Sequence, residues 1–269
     1  SGGAVFGADV RVPGMLYAAV AQCPVFGGKA ASFDPAAALA VPGVVRVERV
    51  GGDVAVLARG TWAAFRGRRA LRVTWDEGTL ATLDSAAIRA RFVELAARPG
   101  LLVRREGSGA AALDGAARTL EAVYEVPFLA HAPMEPMNCT AQVRDGRCEV
   151  WVPTQSGSGA WAAAAGAADL PPESVTVHMT QAGGGFGRRH QHDYVVQAVR
   201  LAKTVGAPVQ VVWTRDDDLR HDFYRPATYN VLRAGLDADG MPVAWTHRIV
   251  APGIATYLGY VEKDKTDWS

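Results

Sequence analysis

The 269-residue chain has only three cysteines, Cys23, Cys139 and Cys148, and no two of them form a CxxC pair. Iron–sulfur ligation needs clustered thiolates at short spacings, so no cluster is expected on this chain. Three scattered cysteines in a chain this long also argue against a disulfide framework. Long apolar runs are missing too. The alanine-rich stretch from Trp161 to Ala168 is too short and too weakly apolar to cross a bilayer, so no transmembrane segment is expected. The opening residues, Ser1 to Asp9, lack the basic region and apolar core of a secretory signal. Net charge is nearly absent, at +1. Nothing pulls the whole chain toward nucleic acid or an anionic membrane, and any anion site must come from a local cluster. Lysine is scarce beside arginine, and alanine is abundant, which reads as GC-rich bacterial coding. No internal repeat or low-complexity tract stands out.

What remains is globular composition, 49% apolar and 20% charged. The length suffices for two ordinary domains. Residues 1–78 read as a small mixed α/β unit. Short strands flank Pro13-Gly14, a hairpin turns at Gly51-Gly52-Asp53, and Thr61 is placed to cap a helix from Trp62 to Leu71. Residues 79–118 read as a helix plus linker. Ile88, Phe92 and Leu95 share one helical face, and Arg104 to Ala117 carries glycines, Ser108 and an alanine run. Residues 119–269 alternate strands and helices, as in a mixed sheet with packed helices. Asp237-Ala238-Asp239-Gly240 marks a further hairpin.

The most informative stretch is Gly183-Gly184-Gly185-Phe186-Gly187-Arg188-Arg189, after an expected strand and before an expected helix over Gln191 to Val205. Glycines leave the main chain bare, so several N–H groups can face one oxyanion. A helix N-terminus behind them adds further donors. Two arginines in a first helical turn oppose the helix dipole unless an anion lies nearby, and Arg pairs with phosphate in a bidentate way. The alternative is a tight turn with two solvated arginines. A nicotinamide or flavin dinucleotide also fits such a loop, with Asp216 as ribose partner. Around His131, Glu135 and Asn138 the prolines forbid a regular helix, and the carboxylate is expected to accept backbone hydrogen bonds in a buried turn. The acidic run Asp216-Asp217-Asp218 is interleaved with Arg215 and Arg220, which favours salt bridges over a metal site. Pro153-Thr154-Gln155 closes a strand where ligand clefts often form, with Thr154 as a cap candidate.

In this order the stretches resemble the molybdenum-binding large subunits of the xanthine dehydrogenase and aldehyde oxidoreductase family. The branch most like this chain is the isoquinoline 1-oxidoreductase beta-subunit group. The residues that carry the likeness are Phe6 to Ala18, Pro42-Gly43-Val44, Tyr124-Glu125, Ala130 to Pro136, Trp151 to Gln155, Gly183 to Arg189, Trp213 to Asp218 and Tyr224-Arg225-Pro226. The resemblance implies an α+β fold. A small α/β hammerhead domain over 1–78 would precede the first molybdopterin-binding domain over 119–269, with an incomplete cofactor cradle. It implies a molybdopterin cytosine dinucleotide cofactor whose metal is held by the pterin's dithiolene and not by protein side chains. It also implies hydroxylation of an N-heteroaromatic or aldehyde carbon with oxygen from water. Electrons would leave through iron–sulfur clusters on a separate small subunit. In the family the matching loop lies against the metal centre, with backbone N–H groups near Phe186-Gly187 bonded to a ligand oxygen. The expected cofactor-binding set is therefore Gly183, Gly184, Gly185, Phe186, Gly187, Arg188, Arg189 and Gln155.

Two departures count. Leu129 stands where many relatives carry a glutamine. The family's glutamate base is expected beyond Ser269, so no catalytic residue is assigned here, and Glu135 does not replace it. The expected partners are the iron–sulfur subunit, the remaining C-terminal molybdenum-binding portion and a small-molecule substrate. The chain alone is expected to be inactive, and the compartment is periplasmic or cytoplasmic. A fragment without cofactor and a dinucleotide-binding protein are the competing readings.

Overall fold

A computed structural model of the chain describes residues 2–257. In chain order the first elements are β1 (Leu16–Ala21), β2 (Lys29–Asp34), α1 (Ala36–Leu39), β3 (Val44–Val50), β4 (Asp53–Ala58), α2 (Thr61–Ala70) and β5 (Arg72–Asp76). Next come α3 (Ser85–Ala96), α4 (Gly109–Asp114), β6 (Arg118–Val126), β7 (Asn138–Arg144), β8 (Arg147–Val152), α5 (Gly157–Ala168) and β9 (Val175–Met179). The last are α6 (Asp193–Val205), β10 (Val209–Val212), α7 (Arg215–Arg220), β11 (Thr228–Leu236), β12 (Pro242–Val250) and α8 (Ile254–Tyr257). The fold is α+β, and the chain divides into two compact units.

The first unit combines residues 1–82 with 130–223. Its main sheet has seven strands in the order β3-β4-β1-β10-β7-β8-β9. The sheet is mixed: β1 with β10 and β8 with β9 run parallel, and the other neighbours are antiparallel. Strands from the first and last thirds of the sequence thus share one sheet, through Leu16↔Val209 and its neighbours. The β3–β4 hairpin turns at Gly51-Gly52 as expected, with Gly51 at a φ of +63° that suits glycine. One face of the sheet is covered by α5 and α6. Ala160, Ala164 and Ala168 recur every four residues on α5, and their small side chains let it pack closely on α6, whose Tyr194, Val195, Ala198, Leu201 and Ala202 are all buried. Cys139 and Cys148 lie unoxidised in this core, and burial pushes the Cys148 thiol up to about 11.

Several local expectations are revised. Val10 to Val12 is not a strand, and a 3₁₀ turn over Gly7–Asp9 precedes it instead. Thr61 is the first residue of α2 and Gly60 its cap. Ser156, not Thr154, caps α5, accepting from the Gly159 N–H at 3.2 Å.

The second unit holds residues 83–129 and the segment from 224 onward. Its sheet is antiparallel, β12-β11-β6, with the β11–β12 hairpin formed at Asp237 to Gly240 as expected. Asp84 caps α3 by accepting from the Ala87 N–H at 2.7 Å. Ile88, Phe92 and Leu95 are half-buried on the face expected for them. The stretch 104–117 is not a bare linker, because α4 forms within it and packs on β12 and β11 with Leu113 buried. Among the described residues no helix is long and apolar enough to cross a membrane.

Candidate functional site

The glycine loop leaves β9, an edge strand of the seven-stranded sheet. Its main chain is shaped by positive φ at Gly184 (+92°), Phe186 (+54°) and Gly187 (+107°). The first and last of these values disfavour any residue with a Cβ, while Phe186 adopts the left-handed region at a cost. Phe186 itself is 74% exposed. The loop does not run into a helix. A 3₁₀ turn over Arg188–His190 follows, Gln191 is extended, and α6 begins only at Asp193. Arg188 and Arg189 therefore lie outside the first turn of a helix, and the expected anion seat on a helix N-terminus is not formed. The same observation removes the strand–loop–helix geometry that a nicotinamide or flavin dinucleotide needs at such a loop.

Both arginine side chains turn inward and are fully buried. Arg189 donates from Nε to the Gly184 carbonyl (2.7 Å), from Nη1 to the Pro153 carbonyl (3.1 Å), and from Nη2 to the Glu135 carbonyl (2.6 Å) and carboxylate (3.1 Å). Arg188 makes a two-pronged pair with Asp193 at 2.9 and 2.8 Å, and its Nε lies 3.1 Å from Asp222. Its guanidinium also lies over the Phe223 ring, 5.0 Å from the centroid. Burial opposes the charge on Arg188, but Asp193 and Asp222 outweigh it and raise its pKa. The anion expected between the guanidiniums and the helix end is thus replaced by the protein's own carboxylates. The physical reason is desolvation: a charge without solvent access needs an internal counter-ion.

Glu135 is the hub on the other side. It accepts from the Gly183 N–H at 2.9 Å and from Asn138 at 2.9 Å, while its own N–H donates to the Gly183 carbonyl at 3.0 Å. This is the buried-turn role read from the sequence. The acidic run behaves as expected too: Asp217 pairs with Arg68, and Asp218 with Arg215. Asp216 stands exposed in the first turn of α7.

Gln155 closes the far side of the loop. Its amide oxygen accepts from the N–H groups of Gly187 (3.0 Å) and Arg189 (3.3 Å). Its own N–H, and the hydroxyl of buried Thr154, donate to the Arg189 carbonyl. A Cβ at Gly185 would collide with the Gln155 amide, and one at Gly183 would come within 2.5 Å of Glu135 Cβ. The loop's shape therefore requires glycine. The Gly187 N–H is already taken, so the donors near Phe186-Gly187 shift by one step. Among the described residues, the N–H groups of Gly184, Gly185 and Phe186 donate to no protein acceptor. Sequence reasoning missed His131 and Asp222 as neighbours of this loop. His131 Nδ1 lies 3.0 Å from both carboxylate oxygens of Asp222, 91 residues away, and no local spacing announces such a pair. A separate open cleft of about 320 Å³, lined by Gln22, Arg68, Trp75 and His221, contains none of the expected site residues.

The loop thus carries three amides in a row without a protein acceptor, is crowded against any Cβ at Gly183 and Gly185, and is braced by buried ion pairs. The chain belongs to the molybdopterin cofactor-binding domain family, which it matches over residues 96–258. It is 32% identical to the isoquinoline 1-oxidoreductase subunit beta of Brevundimonas diminuta, over 100% of this chain and 36% of that one. It is 30% identical to a membrane-bound aldehyde dehydrogenase [pyrroloquinoline-quinone] of Gluconacetobacter polyoxogenes, over 93% of this chain and 34% of that one. Among solved structures, quinoline 2-oxidoreductase of Pseudomonas putida 86 superposes with a TM-score of 0.72 at 21% identity, covering 91% of this chain and 36% of the other. An aldehyde oxidoreductase of Desulfovibrio gigas gives the same TM-score at 18% identity, covering 92% of this chain and 32% of the other. The fold is thus that of the large subunits of molybdenum hydroxylases, and the chain spans about a third of the length of these relatives.

Proposed function

We propose that this chain supplies one part of the cofactor cradle of a molybdenum hydroxylase acting on an N-heteroaromatic or aldehyde substrate. The names of the two relatives above support both substrate classes, and the family supports the cofactor. The observation that carries the reading is the set of unpartnered N–H groups at Gly184, Gly185 and Phe186. The fit is favourable, because an oxyanion takes several backbone donors at once and glycine keeps them reachable. Gly183 to Gly187 would line the ligand and Gln155 would hold the loop's curvature. Arg188 and Arg189 would brace it from behind without direct contact. When bound, a molybdopterin, proposed in its cytosine dinucleotide form, supplies two-electron oxidation with water as the oxygen source. Electrons would then leave through an iron–sulfur partner subunit, and the catalytic base would come from the remaining molybdenum-binding portion.

The chain's own residues do three things in this scheme. They orient the ligand through fixed amides, keep water from the arginine layer below, and expose Phe186 as an apolar wall. Along the sequence we read 1–78 as the hammerhead-like part, 79–118 as a connecting stretch that carries α3 and α4, and 119–269 as the cofactor-binding part. The test is molybdenum and pterin analysis of the purified complete complex. One molybdenum per copy of this chain is expected. A complex lacking both would leave only the cofactor-free reading.

A further inference from the structure

Beneath the glycine loop a second polar group has no partner. The Asp222 carboxylate is buried and charge-paired with Arg188, so it serves only as an acceptor. It accepts from the His131 backbone N–H and faces His131 Nδ1. Nδ1 must therefore carry the proton in this contact, and in the neutral ring Nε2 is left as a bare acceptor. Among the described residues, Nε2 has no hydrogen-bond partner. The ring is not sealed off, since 18% of the side chain is exposed. Nε2 faces the loop: a Cβ built on Gly187 would lie 3.3 Å from it. An imidazole needed only as a spacer requires no such chain behind it. Here Arg188, Asp222 and His131 form a buried relay that fixes both the ring plane and the tautomer, and aims an acceptor at the loop that carries three free donors.

We propose that His131 contacts the loop's occupant directly, with Nε2 accepting a hydrogen bond from an N–H or O–H of the group whose oxygen is held by Gly184, Gly185 and Phe186. This rests on the reading of the loop as a cofactor cradle and narrows it. The occupant must show a donor and an acceptor side by side. A fully ionised phosphate offers acceptors only and would leave Nε2 unpaired. With the ring neutral, the part of the cofactor that meets Nε2 would be a group bearing N–H or O–H.

The test uses the assembled complex and reads molybdenum and pterin retained per protein after prolonged dialysis. In His131→Asn the amide still reaches Asp222 but falls short of Gly187. Retention is expected to weaken about tenfold, the scale of one hydrogen bond, with an unchanged melting temperature for cofactor-free protein. Retention equal to wild type would overturn the proposal. If His131→Asn does not accumulate, His131→Gln and His131→Met decide. Both leave Asp222 without its imidazole and differ in the atom offered to Gly187. Better retention in the Gln variant is expected, and equal retention would overturn the contact. A wild-type complex with no molybdenum or pterin would instead remove the cradle reading itself, and this proposal with it.

Discussion

Arginine–carboxylate pairs occur in both units, and they are not the same interaction. Under the glycine loop, Arg188 and Arg189 are fully buried and each reaches several acceptors. On the second unit, Arg89 pairs with Glu125 in an equally good two-pronged geometry, at 2.7 and 2.6 Å, with both side chains largely in water. The first set is framework: removing one member strands a charge and several carbonyls away from solvent. The second is a surface contact that water replaces almost without cost. Geometry alone does not separate the two, whereas solvent access does.

The sharpest way to break this comparison is Arg189→Met, which keeps most of the side-chain volume. It takes the guanidinium donors from the carbonyls of Gly184, Pro153 and Glu135 and removes the cation paired with the Glu135 carboxylate, which keeps only its neutral donors at Gly183 and Asn138. Loss of one partner of a buried pair costs about 3–5 kcal/mol. A large drop in the denaturation midpoint is expected, together with early proteolytic cutting in 183–190. A variant as stable as wild type would show that the loop does not depend on its arginine layer.

Asp53 gives the converse case, a half-buried carboxylate whose pKa is set by burial and not by a paired cation. Burial first, and Asp193 nearby, raise its pKa to about 6, despite hydrogen bonds from the Cys23 backbone and Gln197. A carboxyl whose folded pKa lies above its unfolded value favours the folded state while protonated. That stability is complete below about pH 4 and is lost as pH rises through about 6. The size is on the order of 3 kcal/mol. Asp53→Asn should flatten stability between pH 4 and 7, followed by denaturant titration at each pH. An unchanged pH profile would mean that Asp53 does not titrate in this window.

Gly185→Ala follows with a smaller effect. The new methyl runs into the Gln155 amide, so the loop or Gln155 must move. Overpacking of this kind costs about 1–3 kcal/mol. The loss should be partly rescued by Gln155→Ala in the same chain, which removes the obstacle. Cofactor content in the complex should fall in the single variant by more than its stability loss accounts for.

Much of this was legible beforehand, for reasons that differ by residue. The glycine run declares a bare loop through composition alone, and the β3–β4 and β11–β12 hairpins follow from their turn residues. The buried-turn role of Glu135 follows from its prolines. The inward turn of Arg188 and Arg189 was not legible, because it depends on Asp193, Asp222 and Glu135 arriving from three places in the chain. Strands β6 and β7 were missed for a related reason. Their period-two pattern, Leu120, Ala122, Tyr124 and Val126 in one and Cys139, Ala141 and Val143 in the other, is present in the sequence, but it is carried by small or mixed residues that give a weak apolar signal without the neighbouring strands. The late start of α6 also escaped notice, since nothing local forbids helix at Arg188 except the backbone set by Gly187.

Arg89→Ala should have the smallest effect, and it tests the exposed half of the comparison. Each partner shifts the other in the expected sense, first through their hydrogen bonds: Glu125 is held below its ordinary carboxylate range and Arg89 above its own. Those shifts are easily mistaken for a stabilising ion pair. Both side chains meet solvent, where the field is screened and ordering two long side chains offsets the attraction. The variant is therefore expected to melt at the wild-type temperature in both low and high salt. A clear loss in low salt that vanishes in high salt would show that this pair is partly shielded in the complete protein, and would move it toward the buried class.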